Sequence, residues 1–189
     1  LKLLENKICY NGNVATLEGK NVIKKETKLF SLQNIFQDQV ALEQMDPDQV
    51  VYEVEMHDNG LKEGEKGGLF FGISHIHPGK VGNEYFMTRG HIHLVEDTGE
   101  YYWGLEGEGL LILTFPDGKT YVEEVRPNSL HYIPGKVAHR LVNTGQERLS
   151  VGACWLTESG HNYNKKGLFK VSVVEEVNQF KVLDLEKFK

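Results

Sequence analysis

From Val50 onward the chain adopts a period of two and keeps it almost to its end. Val50, Tyr52, Val54 and Met56 alternate with Val51, Glu53 and Glu55, the pattern of a half-buried strand. Strand-like runs follow at 69–77, 85–88, 101–105, 109–114, 120–125, 130–133, 139–143 and 149–156, with two more at 169–174 and 180–185. Turn residues separate most of them: Pro78-Gly79, Glu108-Gly109, Pro116-Asp117-Gly118, Pro127-Asn128 and Pro134-Gly135;. Many short, evenly spaced strands with few helices predict an all-β fold, either a closed barrel or a double-sheet jelly roll. The segment before Val50 differs. Ile8 to Tyr10 and Val14 to Leu17 flank Asn11-Gly12, a hairpin signal. Leu29, Leu32, Ile35, Phe36 and Val40 recur at helical spacing, with Ser31 as a possible cap and Asp46-Pro47-Asp48 as the stop;. No linker divides the 189 residues. One domain is expected, with a barrel core at about 50–175 and a hairpin and helix within 1–46.

Charge and composition narrow the partners. A formal net charge of −6 without a cluster of Lys and Arg argues against a nucleic-acid surface;. No apolar run approaches the roughly 18–20 residues needed to span a bilayer, so no membrane partner is expected. The opening residues mix charge with leucine too early for a secretory segment, and the cytosol is the expected location. Cys9 and Cys154 form no disulfide framework and no zinc knuckle. Cys154 lies in an apolar run and reads as a buried, inert thiol.

The residues that carry chemistry lie in Gly90-His91-Ile92-His93 and in Gly99-Glu100-Tyr101-Tyr102. Residues two apart on a strand face the same way, so His91 and His93 present both imidazoles to one side. Glu100, after a short loop, can return on a neighbouring strand with a carboxylate. A fourth ligand must come from a distant segment, and His139, just after Pro134-Gly135, is the natural candidate. Three imidazoles and one carboxylate suit Fe²⁺, Mn²⁺, Zn²⁺, Co²⁺ or Ni²⁺ and leave open positions on a six-coordinate ion. His75 and His77 repeat the spacing, but Pro78-Gly79 follows at once and no carboxylate comes after at comparable distance. That pair is expected not to ligate.

His-x-His, Glu100, Gly107, Pro134-Gly135, His139 and Asn143 together resemble the two motifs of the cupin superfamily. Six residues separate His93 from Glu100, longer than the general cupin spacing and similar to that of the cupin-type phosphoglucose isomerases. The same branch is suggested by Pro78-Gly-Lys-Val-Gly82, by Phe86-Met-Thr88-Arg89-Gly90, by Ala138-His139-Arg140 and by Gly160-His161-x-Tyr163. The resemblance covers about 51–174. It implies a cupin barrel that isomerises glucose 6-phosphate and fructose 6-phosphate, with one divalent metal ion per subunit, Fe²⁺ first among those named. Chelation of O1 and O2 would stabilise a cis-enediolate, with Glu100 as ligand and as base or neighbour of the base; a metal-assisted hydride shift is the competing route. His161 is the second candidate catalytic residue. Tyr52, Ser74, Thr88, Arg89, Gly90, Tyr102 and Tyr163 are the candidate substrate contacts, with Thr88, Arg89 and Gly90 toward the phosphate. Lys136 and Trp155 depart from the family's expected pattern and bear on the sugar contacts. A homodimer is expected. The alternatives are a sugar-phosphate isomerase of different epimer preference, a cupin dioxygenase, or a sugar-binding cupin without catalysis.

Overall fold

The computed structural model describes residues 1–5, 8–163, 165 and 167–187. Two antiparallel sheets form the jelly-roll barrel. The larger has six strands in the order Leu130–Ile133, Glu100–Glu106, Leu149–Leu156, Leu69–Ile76, Val50–His57 and Val22–Lys28. The smaller runs Thr120–Val125, Gly109–Thr114, Ala138–Asn143, and single bridges at Met87–Val142 and His91–His139 extend it. Ile76, Tyr102 and Val151 of the first sheet share one core cluster with Leu111, Leu113, Leu141 and Val142 of the second. Each such aliphatic side chain stabilises the fold by roughly 1.5–3 kcal/mol. Gly109–Thr114 is buried along its whole length, which explains its uninterrupted Leu-Leu-Ile-Leu run.

The single helix expected around 29–40 is replaced by a 3₁₀ turn, Leu29–Leu32, and a five-residue helix, Gln39–Glu43. Side chains interrupt the ladder between them. Ser31 Oγ donates to the Lys28 carbonyl at 2.8 Å, and Gln39 Nε2 donates to the carbonyls of Gln33 and Phe36;. Asp38, rather than Ser31, caps the helix, accepting from Ala41 N at 2.9 Å;. The helix also ends before Pro47. The N-terminal hairpin forms, pairing Ile8–Asn11 with Thr16–Gly19. Its connection is four residues long, from Gly12 to Ala15, and Asn11 Oδ1 accepts from Asn13 N instead of opening a two-residue turn.

The strand Val50–His57 shows an inversion. Its fully buried residues are Val51 and Glu55, on the side with charges, while Tyr52, Val54 and Met56 are only half-buried. The N-terminal hairpin covers the Glu55 side, with Leu17 N donating to Glu55 Oε2 at 2.6 Å, and Lys24 Nζ, from the neighbouring strand Val22–Lys28, donates to Oε1 at 2.6 Å. On the other side, Tyr52 is partly buried against the barrel core. Val22–Lys28, polar enough to escape a strand reading, is the charged edge of this sheet;.

The chain closes with the hairpin Val171–Glu176 and Gln179–Asp184, the first strand starting two residues later and the second one residue earlier than the sequence suggests. Val177 and Asn178 turn it with φ of 51° and 60°, the left-handed pair that matches strand twist. Among the described residues, no helix is long and apolar enough to cross a membrane.

Candidate metal centre

Backbone pairing assembles this site. His91 and His139 exchange both backbone hydrogen bonds, at 3.1 and 2.9 Å, which sets their rings 4.2 Å apart between centroids. His93, two residues on, lies on the same side, and Glu100 opens the adjoining strand of the larger sheet. The ligand atoms of His91, His93, Glu100 and His139 all lie within 4.8 Å of one another. Two ligands of one ion at about 2.1 Å each stand at most about 4.2 Å apart, so the four atoms lie on the scale of a single ion's coordination shell. Glu100 Oε1 is 2.6 Å from His139 Nε2, 3.1 Å from His93 Nε2 and 4.0 Å from His91 Nε2.

The imidazoles are turned for ligation. His93 Nδ1 faces the Thr98 carbonyl at 2.8 Å and His139 Nδ1 the Val137 carbonyl at 3.1 Å. A carbonyl only accepts, so both Nδ1 atoms carry hydrogen, and both Nε2 atoms are turned toward Glu100, where they could give a lone pair to an ion once they carry no proton. The Nε2 atoms of His91 and His139 are buried without an aligned hydrogen bond. Two orphaned donors of electron pairs, aimed at one carboxylate, fit a cation.

The four groups are electrostatically coupled. Burial alone would raise the Glu100 pKa, yet the imidazoles of His139, His93 and His91 hold it far below the usual carboxylate range. Burial, reinforced by His139 and His161, pushes His91 well down, keeping it a neutral ligand. Burial opposes but does not overcome the effect of Glu100 on His93, which is raised;.

His161 and Tyr163 stand at the rim. Their rings stack at 5.9 Å and 12°, and His161 lies 4.5 Å from the His91 ring. Burial is the first cause that pushes Tyr163 up to about 12. Tyr102 is buried, edge-on to His139 at 5.6 Å, and its hydroxyl is raised by burial and by Glu100. Tyr52 lies near enough to Tyr102 and Tyr163 to contribute to both shifts. Trp155 packs against His161 at 6.0 Å, so this departure from the expected pattern forms a wall of the site. Lys136 pairs at 2.9 Å with exposed Asp97.

The candidate phosphate contacts are gathered less tightly. Thr88 Oγ1 accepts from Leu141 N at 3.1 Å. Arg89 donates to the Ser31 carbonyl and borders two cavities. One, of about 390 Å³, also includes Lys28 and Tyr52; the other, of about 570 Å³, includes Gly90, Arg140 and Tyr163. Gly90 has φ +73°, and a Cβ there would meet the Phe169 ring at 2.5 Å. Ser74 is half-buried on Leu69–Ile76, and among the described residues no hydrogen bond joins it to the cluster. Sequence reasoning missed Thr98, whose carbonyl orients His93, and the role of Arg140. Arg140 is buried over the Phe169 ring at 4.1 Å and donates to the Arg89 carbonyl at 2.7 Å. A carbonyl acceptor five residues from a ligand leaves no sequence signature; a basic residue next to a ligand histidine is a signal that was available.

The second histidine pair is occupied elsewhere. His75 Nδ1 meets Ser150 Oγ at 2.8 Å and His77 Nε2 meets Glu53 at 2.9 Å. Cys154 is free and half-buried rather than fully buried.

The model of the glucose-6-phosphate isomerase (GPI) family matches residues 25–179. The glucose-6-phosphate isomerase of Thermococcus litoralis is 37% identical over 175 residues, covering 90% of each chain. That of Pyrococcus abyssi is 34% identical over 182 residues, 94% of this chain and 93% of its own. That of Sinorhizobium medicae is 39% identical over 133 residues, 68% of this chain and 60% of its own.

Proposed function

The chain belongs to the glucose-6-phosphate isomerase family, and from that premise we propose that it interconverts glucose 6-phosphate and fructose 6-phosphate with one divalent ion held by His91, His93, Glu100 and His139. The observation that supports this most is the convergence of four ligand atoms with their imidazoles turned inward. Iron(II) is the first candidate, with Mn²⁺, Zn²⁺, Co²⁺ and Ni²⁺ as alternatives, and the ion would supply Lewis-acid polarisation at O1 and O2.

The chain's own residues do the rest. His93 and His139 offer fixed lone pairs because carbonyls hold their other nitrogens;. Tyr102 closes the interior side against water. Thr88, Arg89 and the Gly90 main chain take the phosphate, with Tyr52, Ser74 and Tyr163 along the sugar. His161, beside His91, handles the hydroxyl proton. A carboxylate that ligates an ion is a poorer base than a free one, so in this reading Glu100 serves as ligand, and hydrogen passes from C2 to C1 within the substrate. Substrate deuterated at C2 should keep its label in the product. Washout of the label into solvent would return Glu100 to the role of shuttle.

A coupled assay with fructose 6-phosphate tests the whole reading. Activity should vanish with EDTA and return with individual divalent ions. Oxygen consumption in place of glucose 6-phosphate formation would favour the dioxygenase alternative instead.

A further inference from the structure

The segment joining Val50–His57 to Leu69–Ile76 is shaped by backbone, not by packing. Gly60, Gly64 and Gly67 have φ of +82°, +92° and +84°, and nothing lies within 4 Å of where their Cβ atoms would be. These are left-handed conformations that glycine adopts without strain. Thr157, buried at the end of Leu149–Leu156, ties the segment down. Gly64 N donates to its carbonyl at 2.8 Å, its own N–H donates to the Gly68 carbonyl at 3.1 Å, and its hydroxyl donates to the Glu65 carbonyl. The anchoring fixes the neighbours of Glu63 and brings its carboxylate to His161. Oε1 of Glu63 is 3.1 Å from the His161 main-chain nitrogen and 3.3 Å from its Nδ1.

We propose that Glu63 is a positioning residue for the isomerisation, holding His161 in one orientation and one tautomer; the proposal rests on the isomerase reading above. A carboxylate has only acceptors, so the Nδ1 that faces it carries the hydrogen. The lone pair then resides on Nε2, the other nitrogen of a ring that sits beside His91 and stacks on Tyr163. Aldose–ketose interconversion needs that lone pair. Whatever path the C–H hydrogen takes, one proton must leave O2 and one must arrive at O1. Nε2 takes the proton as the O2–H bond breaks and returns it as the O1–H bond forms. The ring ends as it began, and no oxidant or reductant enters. Without Glu63 the ring is free to turn and to carry its hydrogen on Nε2, where it cannot accept.

Glu63 is largely exposed, so its substitution should leave the fold intact. Glu63→Ala should lower kcat by about 10–100-fold, the usual cost of losing an orienting partner, with KM and metal content little changed. Glu63→Gln keeps an acceptor oxygen for both bonds and should recover most of the rate. Nitrogen NMR of the zinc-loaded protein, with the His161 signal identified by its loss in His161→Asn, should show Nδ1–H in the parent and in Glu63→Gln. In Glu63→Ala the hydrogen should shift toward Nε2. An unchanged kcat or an unchanged tautomer in Glu63→Ala overturns the proposal, and so does a Glu63→Gln enzyme as slow as Glu63→Ala. A parent protein inactive on fructose 6-phosphate defeats the isomerase reading instead, and the tautomer measurement still tests the contact.

Discussion

At the scale of single residues, the chemistry depends on which histidines face which carboxylates. His91 and His93 were legible because strand geometry puts residues two apart on one face, and Glu100 because it follows on the next strand. His75 and His77 have the same spacing, and the sequence separated them only by the lack of a carboxylate close behind. Carboxylates do meet them, Glu55 and Glu53 from a neighbouring strand, and no local pattern shows that. Their partners simply hold the sheets and hairpin together. Removing a ligand should be far more damaging than removing a contact. His139→Ala is expected to lose the bound ion, measured by elemental analysis, and with it essentially all activity. Arg89→Ala should retain the ion and raise KM for the phosphosugar. A charge-assisted hydrogen bond contributes about 1.5–3 kcal/mol, equivalent to roughly ten- to a hundredfold, so an unchanged KM would remove Arg89 from the phosphate site.

At the scale of elements, most strands were readable and helices were not. A two-residue period survives local competition, whereas the apolar spacing of 29–40 was overridden by Ser31, Asp38 and Gln39 binding nearby backbone;. Which face of Val50–His57 is buried was also out of reach, because the hairpin that covers Glu55 is far away in sequence. That hairpin side contains His75, buried and with its pKa lowered, chiefly by burial and next by Arg148. A histidine whose folded pKa lies below its unfolded value leaves the unfolded chain binding more protons in between. Its contribution is therefore complete above the ordinary imidazole pKa of about 6.5 and is lost as pH falls through the folded value. Urea midpoints should drop on acidification below about 6.5, and His75→Gln should flatten that drop; an equal slope would exclude His75 as a source. Gly90, in the turn leading to His91, provides a second test. Gly90→Ala combines a left-handed φ with a clash against Phe169 and should destabilise by roughly 1–3 kcal/mol, visible as a lower Tm.

At the scale of the molecule, the larger sheet presents Tyr101, Trp103, Leu130 and Tyr132 outward, all exposed, with Tyr101 and Tyr132 in ring contact at 5.2 Å. A contiguous apolar patch is the kind of surface that pairs, so if two chains associate, this face is expected to be buried between them. Sedimentation should give the mass of two chains, and Leu130→Asp that of one; a single-chain mass for the parent would remove that expectation. The barrel itself follows from strand number and turn chemistry, and the centre from two opposed sheets delivering ligands to one point. Titration of chelator-stripped protein with one divalent ion, following bound metal and fructose 6-phosphate turnover together, tests that centre most directly. Both curves should break at one ion per chain in the parent and be absent in His139→Ala. Full turnover by metal-free protein, or equal binding by His139→Ala, would contradict the account.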